Sequence, residues 1–305
     1  MSRVLLFGGS GFLGRHVAEA LAVEATLVLP RRAECDLVDA GLTELTALVR
    51  QARPTAVVNC TGRLGGTDHE MARAHTLVTA KLVEAVAAAA PGARLVRIGS
   101  AGEYGPTPVG RPVREDDPAE PVGAYGLSHL TATRLVELAV AAGRLDAVVL
   151  RVFNPIGPGL PEESVLGRAA RLLRTALARA DGDIALGPLD AYRDLVDVRD
   201  VAYAVRAAVR QPYLPAPVFN IGSGNAVRIR QVVRMLAAVA GFTGTVTETA
   251  PAPAAARTAS VPWICADVSR AADGLGWAPS YELADTVKAI WSGAGAPDHV
   301  PLPKE

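Results

Sequence analysis

The chain has 305 residues, half of them hydrophobic, 20% charged and 5% aromatic, a composition that supports a packed core and excludes a disordered chain. Thirty-one Lys plus Arg balance thirty-one Asp plus Glu, so no cationic excess serves phosphate backbones and nucleic acid is excluded as an expected partner. No apolar run approaches the roughly 18 residues of a membrane span, and Val4 to Phe7 stops at Gly8, too short for a secretory leader, so a cytoplasmic location off the membrane is expected.

Arg3 to Phe7 predicts a strand, Gly11 to Val23 has helical spacing through Phe12, Val17, Ala20 and Leu21, and Ala25 to Leu29 is apolar again. The alternation continues with helix Leu42 to Gln51, strand Thr55 to Cys60, helix Glu70 to Ala90, strand Ala93 to Gly99, helix Ala124 to Ala142 and strand Asp146 to Phe153. Strands alternating with helices predict the α/β class and a doubly wound parallel sheet covered on both faces. Beyond Phe153 the texture changes to a rigid Asn154-Pro155-Ile156-Gly157-Pro158-Gly159 loop and an amphipathic helix around Glu162 to Arg179. Helix Asp200 to Arg210 and strand Val218 to Ile221 return to the sheet, and after Gly224 come helix Arg230 to Ala240 and a tail containing a linker-like Pro251 to Ala256. The expected division is a dinucleotide-binding domain of residues 1–152 plus 193–224 and a smaller C-terminal substrate-binding lobe of residues 153–192 plus 225–305. Cys35, Cys60 and Cys265 are odd in number and lack metal-ligand spacing, so they read as packed thiols with neither a disulfide framework nor a metal site.

Gly8-Gly9-Ser10-Gly11-Phe12-Leu13-Gly14 joins the first strand to the first helix. Gly8 makes the tight turn, Gly11 lets the backbone approach a pyrophosphate, and Gly14 permits close helix-to-strand packing, with the helix N-terminus facing the anion. This is the Rossmann fingerprint, and it predicts a dinucleotide on Gly8, Ser10, Gly11, Phe12, Leu13 and Gly14. NAD sites place a carboxylate at the end of the second strand, but here that strand ends Leu29-Pro30-Arg31-Arg32. Two guanidinium groups suit a 2′-phosphate, so NADP (as NADPH) is expected over NAD. A solvated turn is the competing reading, and Glu34 stands close by.

Ile98-Gly99-Ser100-Ala101-Gly102-Glu103-Tyr104-Gly105 ends a strand, and Tyr125-Gly126-Leu127-Ser128-His129 opens a helix about twenty residues later. Together with Phe153 to Gly159, Tyr192 to Asp200 and Phe219 to Gly224, these motifs resemble the extended short-chain dehydrogenase/reductases of the NAD-dependent epimerase/dehydratase family, most of all GDP-4-keto-6-deoxymannose reductases. The resemblance implies that Ser100 hydrogen-bonds the substrate oxygen and that Tyr125 exchanges a proton with it. It also implies that Asp36 and Leu37 contact the adenine and that Thr61 and Gly62 line the cofactor beside Tyr125 and residue 129. Independently, hydride arriving at a carbonyl carbon builds alkoxide character, which needs a fixed hydroxyl donor and a proton source.

At position 129 the family has lysine, holding the nicotinamide ribose and favouring tyrosinate, whereas this chain has His129. Imidazole is mostly neutral at pH 7, so Tyr125 stays protonated and the chemistry leans toward reduction. His129 is read as a ribose or proton-relay residue, or else as a polar residue on a helix surface. His75, commonly Asn in relatives, receives no role. Sugar 4,6-dehydratases carry acidic residues just after the Ser or Thr, but here Ala101 and Gly102 stand there. Glu103 comes one position later, on the far side of an extended segment, as a solvated or structural carboxylate.

The same resemblance assigns Asn154, Arg193 and Arg257 to the phosphates or nucleotide of a small-molecule substrate, work that suits arginine's paired donors. For Arg193 the alternative is an ion pair with Asp194 or Asp197. The expected activity is an NADPH-dependent ketoreductase of a nucleotide-linked 4-keto-6-deoxyhexose. The alternatives are a ketoreductase of another carbonyl, such as an antibiotic or polyketide intermediate, with less weight on a nucleotide-sugar epimerase or a silent cofactor-binding protein. Helices 70–90 and 124–142 match those that form an intersubunit four-helix bundle in relatives, so a homodimer is expected.

Overall fold

The computed structural model describes residues 2–179, 182–250 and 261–293. It begins with β1 (Ser2–Phe7), α1 (Phe12–Ala22), β2 (Ala25–Val28), α2 (Leu42–Ala52) and β3 (Ala56–Asn59). A helical run follows, made of α3 (Asp68–Met71), a π-helical stretch (Ala72–Leu77) and α4 (Val78–Ala89). Next come β4 (Arg94–Ser100), a 3₁₀ turn (Ala101–Glu103), α5 (Ala124–Ala141) and β5 (Ala147–Val152). Then β6 (Pro155–Ile156), α6 (Val165–Arg179), β7 (Asp183–Leu186), β8 (Tyr192–Asp194), β9 (Val196–Asp197) and α7 (Val198–Arg210) lead to β10 (Val218–Ile221). The chain continues through β11 (Ala226–Arg228), α8 (Ile229–Val239), β12 (Thr245–Glu248), β13 (Trp263–Ile264), α9 (Ser269–Leu275) and α10 (Leu283–Gly293).

Six of these strands form one parallel sheet in the order β2-β1-β3-β4-β5-β10. Every residue of β3, β5 and β10 is buried, as strands covered on both faces require. On one face Val17 and Leu21 of α1 and Val201 and Val205 of α7 pack with Leu6, Val58 and Leu150. On the other Leu45 and Val49 of α2 and Leu82 and Val86 of α4 pack with Leu5, Val57 and Leu95. The doubly wound fold is therefore as expected. The strand order reverses between β1 and β3, and their carboxyl ends open the crevice where such sheets bind ligands.

A third cluster lies under α6, α8 and α10, through Leu166, Leu173, Val232, Leu236, Val287 and Ile290. Short sheets border it, with β8 between β11 and β13, and β7 paired with β12. Two sequence expectations need correction here. The tail after helix Arg230 to Ala240 holds β12, β13, α9 and α10, whose short strands are stabilised by distant partners such as β7 and β8 rather than by a local apolar run. The helix expected over 70–90 starts at Asp68, capped by Thr67 with Glu70, and is interrupted by the π-helical stretch around His75. One extra residue in a turn shifts the apolar stripe by about 100° between the two sides but leaves the spacing within each side intact, so local periodicity does not reveal it.

Candidate active site

At the mouth of the β1–β3 crevice, Gly8 adopts φ +79 and the Gly11 N–H closes the turn onto the Gly8 carbonyl at 3.0 Å. A Cβ on Gly14 would stand 1.8 Å from that same carbonyl oxygen, so only glycine lets α1 start this close to the strand. No side chain caps α1 at Gly11 and its first turn carries no acid, which leaves its N-terminal N–H groups for an anion. The backbone at Cys60 and Thr61 lies against Gly8, and Asn59 Oδ1 accepts from the Thr61 N–H at 3.0 Å and from its hydroxyl at 2.6 Å. Gly8, Gly11, Gly14 and Thr61 thus lie together at the carboxyl ends of β1 and β3, with Ser10, Phe12 and Leu13 in the same turn and Gly62 following Thr61, and the cradle fits a dinucleotide pyrophosphate.

Arg31 and Arg32 are exposed and occupied by neighbours: Arg31 pairs with Glu34 at 3.1 Å and Arg32 with Asp36 at 2.7 Å. Asp36 also accepts from the Val38 N–H at 2.9 Å, and Leu37 is buried under the sheet. Exposed pairs of this kind are weak and exchange readily for a better anion.

Ser100 ends β4 and its hydroxyl accepts from the Gly102 N–H at 3.1 Å. Tyr125 opens α5, and its ring lies against Gly102. A Cβ on Gly126 would meet the Gly102 carbonyl oxygen at 2.2 Å, so the pair Gly102 and Gly126 brings α5 onto the 3₁₀ turn and Tyr125 to Ser100. Burial, and to a lesser degree the charge of Glu103, push the Tyr125 hydroxyl above the ordinary tyrosine range, with a hydrogen bond to Ser100 and the charge of Arg97 pulling the other way.

His129 is 7% exposed, which corrects the reading of it as a surface residue. Its ring centroid lies 4.7 Å from that of Tyr125 and 4.0 Å from that of His75. Burial, then Arg97, then His75 hold it well below the usual histidine range, so it is neutral. His75 is brought in by the π-helical stretch. Its Nε2 accepts from the Arg63 N–H at 3.1 Å, so its Nδ1 carries the proton and donates to Ser128 Oγ at 2.9 Å. Ser128 in turn donates to the Tyr125 carbonyl at 2.9 Å. Burial and the nearby Arg97 lower His75 to about 4. Both imidazoles are therefore uncharged beside the tyrosine.

Behind them lies a polar network that sequence reasoning missed. Glu103 is fully buried on a 3₁₀ turn rather than on an extended segment, which corrects its geometry and removes the solvated option. It accepts from the Ser100 N–H at 3.0 Å, the Thr133 hydroxyl at 2.8 Å and Arg151 Nε at 2.9 Å. Arg151 also donates to the Tyr104 hydroxyl, which donates to Asn220 Oδ1 at 2.7 Å. Arg97 and Arg151 interrupt the apolar runs Leu95-Val96-Arg97-Ile98 and Val149-Leu150-Arg151-Val152. A charge inside a strand covered on both faces was the signal available in the sequence.

Of the residues expected to meet the substrate, Asn154 takes φ +34 just after β5 and donates to the Asp194 carbonyl at 2.8 Å. The Arg193 guanidinium donates to the Tyr192 carbonyl at 2.8 Å, and burial lowers it from the usual arginine range. The expected alternative partners are engaged elsewhere. Asp194 accepts from Ser223, Gly224 and Ala266, and Asp197 pairs with Arg199 at 2.7 Å. Arg257 and the stretch Pro251 to Ala256 lie outside the described residues.

The profile described as the NAD dependent epimerase/dehydratase family matches residues 4–222. The chain belongs to that family. It is accordingly an NAD(P)-dependent enzyme of the extended short-chain dehydrogenase/reductase class. The chain is 40% identical over 305 residues, 95% of each protein, to the dTDP-6-deoxy-L-talose 4-dehydrogenase (NAD(P)(+)) of Kitasatospora kifunensis. It is 28% identical to the GDP-6-deoxy-D-mannose reductase of Pseudomonas aeruginosa, over 95% of this chain and 96% of that one. Its fold matches RMD from Pseudomonas aeruginosa complexed with NADPH, with a TM-score of 0.84, 24% identity and coverage of 96% and 99% of the two chains. It also matches MoeE5 in complex with UDP-glucose and NAD, with a TM-score of 0.81, 26% identity and coverage of 96% and 98%. Among the described residues no helix is long and apolar enough to cross a membrane, and no group of His, Cys, Asp and Glu is arranged to hold a metal ion.

Proposed function

We propose that the protein is an NADPH-dependent ketoreductase that reduces the C4 carbonyl of a nucleotide-linked 4-keto-6-deoxyhexose. The observation that carries this is a half-buried Tyr125 beside Ser100, its hydroxyl held above the ordinary tyrosine range and so protonated, without an acidic residue at 101 or 102 for elimination. The relative that is 40% identical acts, by its name, as a 4-dehydrogenase on a dTDP-linked 6-deoxyhexose, and a dehydrogenase run backwards is a ketoreductase. NADPH, when bound, supplies the hydride. Ser100 and Tyr125 face the carbonyl oxygen: the serine hydroxyl stabilises the growing alkoxide and the tyrosine O–H breaks to protonate it. His129 stands at the position of the ribose-holding lysine. Asn154, Arg193 and Arg257 are assigned to the substrate nucleotide and its phosphates, and Asp36 with Leu37 to the adenine. The nucleotide half is residues 1–152 plus 193–224, and the substrate lobe is residues 153–192 plus 225–305.

The test is turnover of dTDP- and GDP-linked 4-keto-6-deoxyhexoses, with aromatic ketones as the competing class. NADPH is expected to be preferred over NADH by roughly tenfold or more, because Arg31 and Arg32 leave Glu34 and Asp36 for the 2′-phosphate. Arg31→Ala/Arg32→Ala should erase most of that preference. Turnover of aromatic ketones alone would favour reduction of a non-nucleotide carbonyl, such as an antibiotic or polyketide intermediate. Equal wild-type affinities for the two cofactors would refute the NADPH assignment.

The reading includes a homodimer. Leu127, Thr131, Arg134 and Leu138 form one exposed stripe of α5, with Leu127 and Leu138 55% and 67% exposed, and Leu77 beside it is 53% exposed. Covering that stripe with the same helices of a second copy buries these leucines. Light scattering at micromolar concentration is expected to give twice the 31.6 kDa chain mass, and a monomer would count against it.

A further inference from the structure

Arg97 is 2% exposed in the middle of the parallel sheet, a place that rarely tolerates a charge. Among the described ion pairs none involves it. Its Nε donates to the Thr79 hydroxyl of α4 at 2.9 Å, its Nη1 reaches the Thr133 hydroxyl of α5 at 3.5 Å, and its Nη2 donates to His129 Nδ1 at 3.1 Å. A guanidinium has no acceptor, so the Nδ1 it touches is a lone pair and the His129 proton sits on Nε2. The acid closest to this network, Glu103, forms its ion pair with Arg151 at 2.9 Å; it is linked to Arg97 by hydrogen bonds through Thr133 and acts on it otherwise by charge at a distance.

We propose that Arg97 is a positioning residue for proton transfer at Tyr125: it holds His129 as the neutral Nε2–H tautomer and supplies, from behind the imidazole, the positive charge that favours tyrosinate. The proposal rests on Tyr125 being the proton donor, as argued above. In this arrangement two residues divide what one lysine does in the family, the ring providing an N–H donor and the guanidinium the charge. When hydride from NADPH reaches the carbonyl carbon, the C=O π pair moves to oxygen, the Tyr125 O–H bond breaks and the new hydroxyl forms. Tyrosinate remains until solvent returns a proton. Around it stand His75 from the π-helical stretch, His129 from α5, Ser100 and Arg97 from β4, Glu103 from the 3₁₀ turn and Arg151 from β5. Both histidines are neutral, so Arg97 is the cation beside His129 that can stabilise tyrosinate; it does so against the charge of Glu103, which disfavours tyrosinate, and the low local polarity strengthens both fields.

Two measurements test this, one of them independent of turnover. In protein labelled with ¹⁵N-histidine, nuclear magnetic resonance should find His129 uncharged and Nε2-protonated from pH 5 to pH 8. Arg97→Met removes the donor that fixes the lone pair on Nδ1, so the Nδ1-protonated tautomer should become populated at pH 7, and Arg97→Lys should restore the wild-type state. A charged or Nδ1-protonated His129 in the wild type at pH 7 overturns the proposal, even if Arg97→Met does not fold. The second measurement is oxidation of dTDP-6-deoxy-L-talose by NADP⁺ as a function of pH. Arg97→Met should lower kcat at fixed pH by about tenfold and move the alkaline rise up by about one pH unit, because less tyrosinate forms. The KM for NADP⁺ should change by less than about threefold, and Arg97→Lys should recover most of the rate. An unchanged pH profile, or equal losses in every parameter without rescue by lysine, would mean that Arg97 only supports the fold. Absence of wild-type turnover on any keto sugar counts against the functional reading alone, and the resonance experiment still decides the role of Arg97.

Discussion

Tyr125→Phe is expected to reduce kcat for keto-sugar reduction by about 10² to 10⁴, with cofactor affinity little changed. The phenylalanine ring keeps the packing on Gly102 and His129 and deletes only the hydroxyl shared with Ser100, so the loss falls on the transition state, where the new alkoxide needs a proton. The pH dependence has a definite sign. Burial raises Tyr125 above its ordinary value of 10.0, the proton donor is the protonated form, and that form persists at every pH below the raised value. Reduction by the wild type should therefore show no loss from Tyr125 ionisation up to about pH 10, whereas oxidation of the alcohol should keep rising through the same range. Single-turnover rates with pre-bound NADPH are the appropriate measurement, because they separate chemistry from product release. A Tyr125→Phe enzyme that retains nearly full single-turnover rate would assign the proton to water, His129 or the substrate itself.

Arg151→Met should destabilise the protein by about 3 to 5 kcal/mol, the usual cost of removing one partner from a buried ion pair. Arg151 and Glu103 have side chains 2% and 0% exposed and meet at 2.9 Å, so the variant leaves a carboxylate buried without its cation. The Tyr104 hydroxyl and the Glu115 carbonyl lose a donor at the same time. Methionine matches the length of the arginine stem, which limits the cavity left behind. Urea unfolding measures the effect. The double variant Arg151→Met/Glu103→Leu should be much less destabilised than the sum of the single changes, since it removes both charges together. A loss below about 1 kcal/mol for Arg151→Met would mean that the pair does not hold the 3₁₀ turn behind Ser100.

The alternation of elements and the placement of Gly8, Gly11 and Gly14, Ser100, Tyr125 and His129 were legible from the sequence, because each depends on residues a few positions apart. Helical and strand periodicities are local, and a glycine turn between a strand and a helix has its meaning within seven residues, Gly8 to Gly14. What surrounds Ser100 and Tyr125 was decided only by tertiary structure. His75 reaches Ser128 across 53 positions, Arg97 reaches His129 across 32, and Arg151 reaches Glu103 across 48. These contacts depend on the β4–β5 register, which sets Gly99 opposite Arg151 and Ser100 opposite Val152, on the close approach of Gly126 to Gly102, and on the extra residue in the turn that carries His75. Composition and spacing carry no record of register or of a helical bulge. The sequence by itself therefore determined that His129 stands where a lysine is expected. Only the packed sheet, which buries Arg97 against that imidazole without an ion pair among the described residues, decided what accompanies the exchange: a charge inside the protein that water cannot screen.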